Sequence, residues 1–212
     1  LLLSYGDVTD LSERHFKHIT AFQYACWALD WHMWRMLQKY MSKEDQASQL
    51  EELYTNSTEH GTTAQSLMKN LVDALSKKGG KSLKGMSRET HWITVVGTCQ
   101  RLSPAHVLNE YCHPDRPFIP FPDFEDTKST LPRYYPYTGD SILGKSCVFL
   151  RTVHKDVFIL HHWEDDFIRI PDCHCLADME AISKLTEART KQLSDLGDVL
   201  GVDHPSSLKR GI

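Results

Sequence analysis

Between Phe16 and Met41 the chain is so rich in apolar residues that this stretch must supply the centre of whatever fold it forms. Phe16, Ile19, Phe22, Cys26, Leu29, Met33, Met36, Leu37 and Tyr40 follow one another at steps of mostly three or four. Trp27, Trp31 and Trp34 add a second face at a similar spacing. This periodicity predicts one long helix, capped by Asp10 or Ser12 with Glu13 in its first turn, and ending near Tyr40. A helix apolar around most of its circumference belongs in a core. Asp30, Arg35 and Lys39 interrupt the run, so it does not read as a membrane span.

The rest of the chain supplies elements to pack against that centre. With 212 residues, 41% hydrophobic and 25% charged, it is long and apolar enough for a globular domain with its own core. Lys43 to Asn56 reads as a polar helix that buries Ala47, Leu50, Leu53 and Tyr54. Thr62 to Lys77 reads as a third helix, with Leu67, Met68, Leu71, Val72 and Leu75 inward. Ser87 to Leu102 reads as a fourth, and Ser103-Pro104 opens a short fifth helix to about Cys112. A flexible exposed loop is expected at Lys77-Lys78-Gly-Gly-Lys81-Ser-Leu-Lys84. From His113 to Tyr137, six prolines alternate with Phe118, Phe121, Phe124, Tyr134 and Tyr135, which forbids helix.

Three short runs of strand composition follow: Cys147 to Val153, Val157 to His161 and Phe167 to Ile170. Turn-like charged residues separate them, which predicts a small antiparallel meander. A last helix is expected from Leu176 to Leu196, with Gly197 just past its end. The fold class is therefore α+β, mainly helical with a small antiparallel β-meander. Residues 11–197 are read as the domain and 198–212 as a flexible tail.

Charge excludes one broad class of partner. With 24 basic and 28 acidic residues the surface has no general attraction for nucleic acid. Cys26, Cys99 and Cys147 lie inside apolar runs, where a thiol packs as a small hydrophobe, so a reducing compartment is expected. The start of the chain has no initiator Met and no signal-peptide pattern, and reads as a fragment or a processed product.

Three clusters carry candidate chemistry. His106, Asn109, Glu110 and His113 share one helical face, and Glu110 and His113 have the Glu-x-x-His spacing of carboxylate-bridged metal sites, without the second such pair those sites need. Cys112 stands next to His113 and near His106. Thiol activation needs such a neighbour, which makes Arg101, His106, Glu110 and Cys112 the candidate catalytic set. Cys173-His174-Cys175, with His161 and His162 upstream, offers zinc-type ligands at an uncommon spacing. No phosphate loop, nucleophile elbow or His-Glu-x-x-His motif is present. No metal or cofactor is assigned. The candidate binding surface is the proline-aromatic segment, with Phe118, Phe121, Tyr134 and Tyr135 as anchors, because preorganised prolines and aromatics bind at low entropic cost.

Leu1-Leu2-Leu3-Ser4-Tyr5-Gly6-Asp7-Val8 resembles the end of an ankyrin repeat, whose second helix closes with Leu-Leu-Leu, two residues and Gly. His18 to Met33 is similar to a segment of ankyrin-repeat effectors secreted by intracellular bacteria such as Legionella. So are Gln100-Arg101 with Pro104-Ala105-His106-Val107 and Asn109-Glu110-Tyr111-Cys112, and Glu187-Ala188-Arg189-Thr190-Lys191. Residues 114–172 do not follow the pattern. The resemblance implies a Dot/Icm type IV secretion effector that acts in the host cytoplasm and carries ankyrin repeats in the same polypeptide. It implies residues 1–10 as the end of such a repeat or a linker. A host protein is the expected partner; an unfamiliar enzyme, a thiol hydrolase or group transferase, is the alternative.

Overall fold

The computed structural model describes residues 2–10, 12–55, 63–76, 95–111, 124, 149–151, 158–160 and 174–203. These residues are mainly helical, with two small antiparallel sheets of two strands each. They fall into two compact units. Leu1–Ala64 and Glu187–Ile212 form one, and Gln65–Thr186 form the other.

The first unit corrects the expectation of one long helix starting at Asp10. It opens instead with a hairpin, β1 (Gly6–Thr9) against β2 (His15–Ile19), in the register Gly6 to Ile19, Val8 to Phe16 and Thr9 to His15. Asp10 caps no helix. Its carboxylate accepts from the Ser12 and Arg14 N–H groups at 2.8 and 3.0 Å and from Arg14 Nε at 2.8 Å, so it closes the turn. Glu13 completes the turn in the left-handed region, φ 62°. The ladder is irregular between Gly6 and Val8, and there the His18 N–H donates to Asp7 Oδ1 at 3.0 Å. His18 itself has φ 52°, which breaks the strand's two-residue alternation and puts Phe16 and Ile19 both in the core.

Helix begins only at α1 (Ala21–Trp27), where Thr20 and Gln23 form a complete capping box. It stops at Leu29, φ 56°, and resumes as α2 (Trp31–Gln38) with the Asp30 carboxylate accepting from the Met33 N–H. Two helices joined by a left-handed residue thus replace the single predicted one. Phe22, Cys26, Trp27, Leu29, Trp31, Trp34 and Leu37 are buried as the apolar pattern implied, and Ala25 with them, whereas Met33 is half-buried and Met36 and Tyr40, which the same pattern put inward, are exposed. Phe16 meets Trp27 and Tyr24 edge-on.

α3 (Lys43–Thr55) packs on α1. Leu50 is fully buried, while Ala47, Leu53 and Tyr54 are only half-buried. Gln46 and Gln49 are the unexpected buried residues. Gln46 Nε2 donates to the carbonyls of Gln38 and Met41, and Gln49 Oε1 accepts from Thr20 Oγ1 at 2.6 Å.

In the second unit α4 (Ala64–Ser76) buries Leu67, Met68, Leu71, Ala74 and Leu75, close to expectation, with Val72 half-buried. α5 (Gly97–Leu102) and α6 (Ala105–Tyr111) are separated by Ser103 and Pro104, where the sequence placed a helix start. β3 (Phe149–Arg151) and β4 (Phe158–Leu160) pair antiparallel inside the first two predicted strand runs. The third run, the loop at 77–84 and the proline-aromatic segment, Phe124 excepted, lie outside the described residues.

α7 (His174–Leu200) is longer than predicted and continues past Gly197. Its end is a Schellman motif: the Val202 N–H donates to Gly197 O at 2.9 Å, the Gly201 N–H to Asp198 O at 3.3 Å, and Gly201 takes φ 71°. Among the described residues no helix is long and apolar enough to cross a membrane.

Candidate functional site

The helix-turn-helix of α5 and α6 carries three of the four candidate catalytic residues. At the turn, Ser103 is fully buried; its N–H donates to Cys99 O and Gln100 O, and its hydroxyl to Cys99 O at 2.8 Å. Pro104 lacks an N–H to satisfy, and its carbonyl accepts the first bonds of α6 from Val107 and Leu108. These contacts fix the geometry between Arg101, in the last turn of α5, and the residues of α6.

His106 and Glu110 stand four residues apart on α6 and therefore share one face. Glu110 is 6% exposed, whereas His106 and Arg101 are half-buried. A carboxyl at that depth needs a partner or must give up its charge. Glu110, His106 and Arg101 each take part in an interaction. Helix spacing puts His106 and Glu110 on one face of α6, and Glu110 lies deeper than its chemistry suggested. Cys112, and the binding anchors Phe118, Phe121, Tyr134 and Tyr135, lie outside the described residues, as do His113, Cys173, His161 and His162. Among the described residues no group of three or more His, Cys, Asp or Glu side chains is placed to hold a metal ion.

The first unit holds polar groups that the sequence reading did not single out. Tyr5 OH donates to Glu52 Oε2 at 2.6 Å, Gln23 Nε2 donates to the same carboxylate oxygen at 2.8 Å, and Gln23 reaches Gln49 O at 3.1 Å. With Thr20 these residues tie the start of α1 to α3. The bond to Glu52, helped by burial, pushes the Tyr5 hydroxyl above its ordinary value. Arg14 lies 4.8 Å above the Trp27 ring while paired to Asp10. Thr20 followed by Gln23 was the one readable signal, a Thr-x-x-Gln capping box.

Cys26 is fully buried and Cys99 half-buried, and both are free thiols. Burial, reinforced by Asp30, pushes the Cys26 thiol well above its usual range, so it is a packing group and not a nucleophile. Tyr54 is pushed up in the same direction by burial, then by Cys26 and Asp198.

The comparisons with known proteins bear on the larger part of the chain. The model of a family described as the CBUA0006 C-terminal domain matches residues 65–200. The uncharacterized protein CBUA0006 of Coxiella burnetii (strain RSA 493 / Nine Mile phase I) is 35% identical over 167 residues, which is 66% of this chain and 48% of that protein. The chain thus spans about half the length of this relative. No solved structure matches. The match over 65–200 takes in α5, α6, α7 and all of α4 but Ala64, and on it the chain belongs to the CBUA0006 C-terminal domain family.

Proposed function

We propose that the chain is a host-interaction module of a secreted bacterial ankyrin-repeat effector, and that it binds a host protein. One observation carries the ankyrin part of this reading. Hairpin β1–β2, helix α1, a left-handed Leu29 and helix α2 follow one another over 6–38, the order and roughly the length of one ankyrin repeat, about 33 residues. Thr20-Ala21-Phe22-Gln23-Tyr24-Ala25 stands where such a repeat has its Thr-Pro-Leu-His-x-Ala motif, with the Thr at the helix cap. Together with residues 1–8, this order of elements supports the ankyrin reading through α2. The occurrence of a relative in Coxiella burnetii agrees with a bacterial origin.

On this reading the partner contact is made by the proline-aromatic segment through Phe118, Phe121, Tyr134 and Tyr135. The action takes place in the host cytoplasm after type IV secretion. Affinity capture from host-cell lysate tests it: a protein held stoichiometrically by the native chain is expected to be lost from a Phe118→Ala/Phe121→Ala variant whose circular dichroism is unchanged. Equal retention by that variant removes the segment from the account.

A second reading is favoured by the burial of Glu110 on the face it shares with His106. It makes the chain a thiol hydrolase or group transferase with Cys112 as nucleophile and Arg101, His106 and Glu110 around it. A nucleophilic Cys112 reacts with iodoacetamide well below pH 8, and a packed one does not.

A further inference from the structure

The first unit is discontinuous in sequence. The end of α7 belongs to it, together with everything before Ala64. Arg189 has no exposed surface and lies 4.7 Å from the centre of the Trp31 ring at the start of α2. Leu193 and Leu196 are buried, and a Cβ placed on Gly197 would stand 4.0 Å from Leu50 Cδ2 on α3. The opposite side of this segment is polar but for Val199, which is exposed: Glu187, Lys191, Asp195 and Asp198 are exposed, and Lys191 pairs with Asp195 at 2.6 Å.

α3 has the matching character. It packs beside α1, as the first helix of a following repeat would, yet Leu50 is its one fully buried apolar side chain. Its other deep residues, Gln46 and Gln49, spend their amides on Gln38, Met41 and Thr20. Its exposed positions, Lys43, Glu44, Ser48, Glu51 and Thr55, are all polar, so its outer face offers little apolar surface on which to continue a stack. Solenoid arrays need a terminal repeat with a polar outer face.

We infer that α3 and residues 187–200 are the two helices of a capping repeat that closes the 6–38 unit in cis, and that residues 65–186 are an insertion between them. The inference rests on the ankyrin-type reading of 6–38. It implies that the family match at 65–200 ends in a segment whose packing partners, Trp31 and Leu50, precede the match. The inserted unit is then joined at both of its chain ends to the cap.

Native-state hydrogen exchange on the full chain tests this. Leu50→Ala is expected to speed exchange on the order of thirtyfold in α1, α3 and 189–200 together, and to leave 67–75 of α4 unchanged. Trp31→Phe, a milder change, is expected to move the same segments by less. If 189–200 keeps its protection while α1 and α3 lose theirs, the cap is overturned. Fusing a consensus ankyrin repeat before Leu1 tests the underlying reading separately. Increased protection of 21–37 supports it, and no change overturns that reading and the cap with it. Increased protection without coupling between Leu50 and 189–200 overturns the cap alone.

Discussion

The guanidinium of Arg189 lies 4.7 Å from the centre of the Trp31 ring, and its Nη1 donates to Gln192 Oε1 at 2.6 Å. Arg35 stands at the same distance from that ring, so one indole serves a buried and an exposed cation. A cation taken wholly out of water is sustained only by contacts of this kind. Arg189→Met is expected to cost about 2–3 kcal/mol, because the ring and the Gln192 amide lose their partner together. Arg189→Lys is expected to cost nearly as much, since a compact ammonium cannot both stack and donate as a guanidinium does. Urea midpoints at constant slope measure both.

The turn of the first hairpin predicts a gain. Glu13 is exposed and holds φ 62°, a conformation that glycine adopts without strain. Glu13→Gly should stabilise the chain by about 1 kcal/mol. Leu29→Gly, at φ 56°, should do the opposite: it removes a side chain that is 3% exposed, and the lost burial of about 2–3 kcal/mol outweighs the relieved strain. Opposite shifts in melting temperature are the expected result. Two shifts of the same sign would remove the strain argument.

Those left-handed residues also explain what the sequence concealed. Phe16 and Ile19 are three apart, the step of a helix, and only His18 in the left-handed region lets a strand bury both. Glycine or asparagine at 13, 18 or 29 would have flagged the turns; Glu, His and Leu did not. Where the backbone is regular, as in α3, α4 and α7, apolar spacing gave the elements to within a few residues at most ends. The placement of His106 and Glu110 on one face was legible because it follows from helix geometry alone. The depth of Glu110 was not legible, because burial depends on what packs over α6.

The capping box at α1 is a second point of leverage. Thr20→Ala removes the acceptor for the Gln23 N–H and the donor to Gln49 Oε1, and leaves both buried. A loss of about 1–2 kcal/mol is expected. Thr20→Ser, which keeps the hydroxyl, should recover most of it.

Burial of Cys26 and Tyr54 sets a pH dependence. In the unfolded chain these groups ionise near their ordinary values of 9.0 and 10.0; in the folded chain burial holds both protonated to higher pH. Above pH 9 the unfolded state therefore binds fewer protons than the folded state, and stability falls as pH rises. Below pH 9 their contribution is fully present and flat. Each group steepens the decline by up to about 1.4 kcal/mol per pH unit. Cys26→Ala should remove the earlier part of that decline, and in the native chain Cys26 should resist iodoacetamide at pH 8 until the protein unfolds.

On the proposed reading this chain binds a host protein through the proline-aromatic segment; on the second it acts through Cys112. The direct measurement is capture from host-cell lysate by the native chain, by Phe118→Ala/Phe121→Ala and by Cys112→Ala in parallel, with the bound protein identified and weighed intact. The account predicts an unmodified partner held equally by the native and Cys112→Ala chains and lost from the double variant. A partner or adduct that changes with Cys112→Ala and survives Phe118→Ala/Phe121→Ala contradicts it.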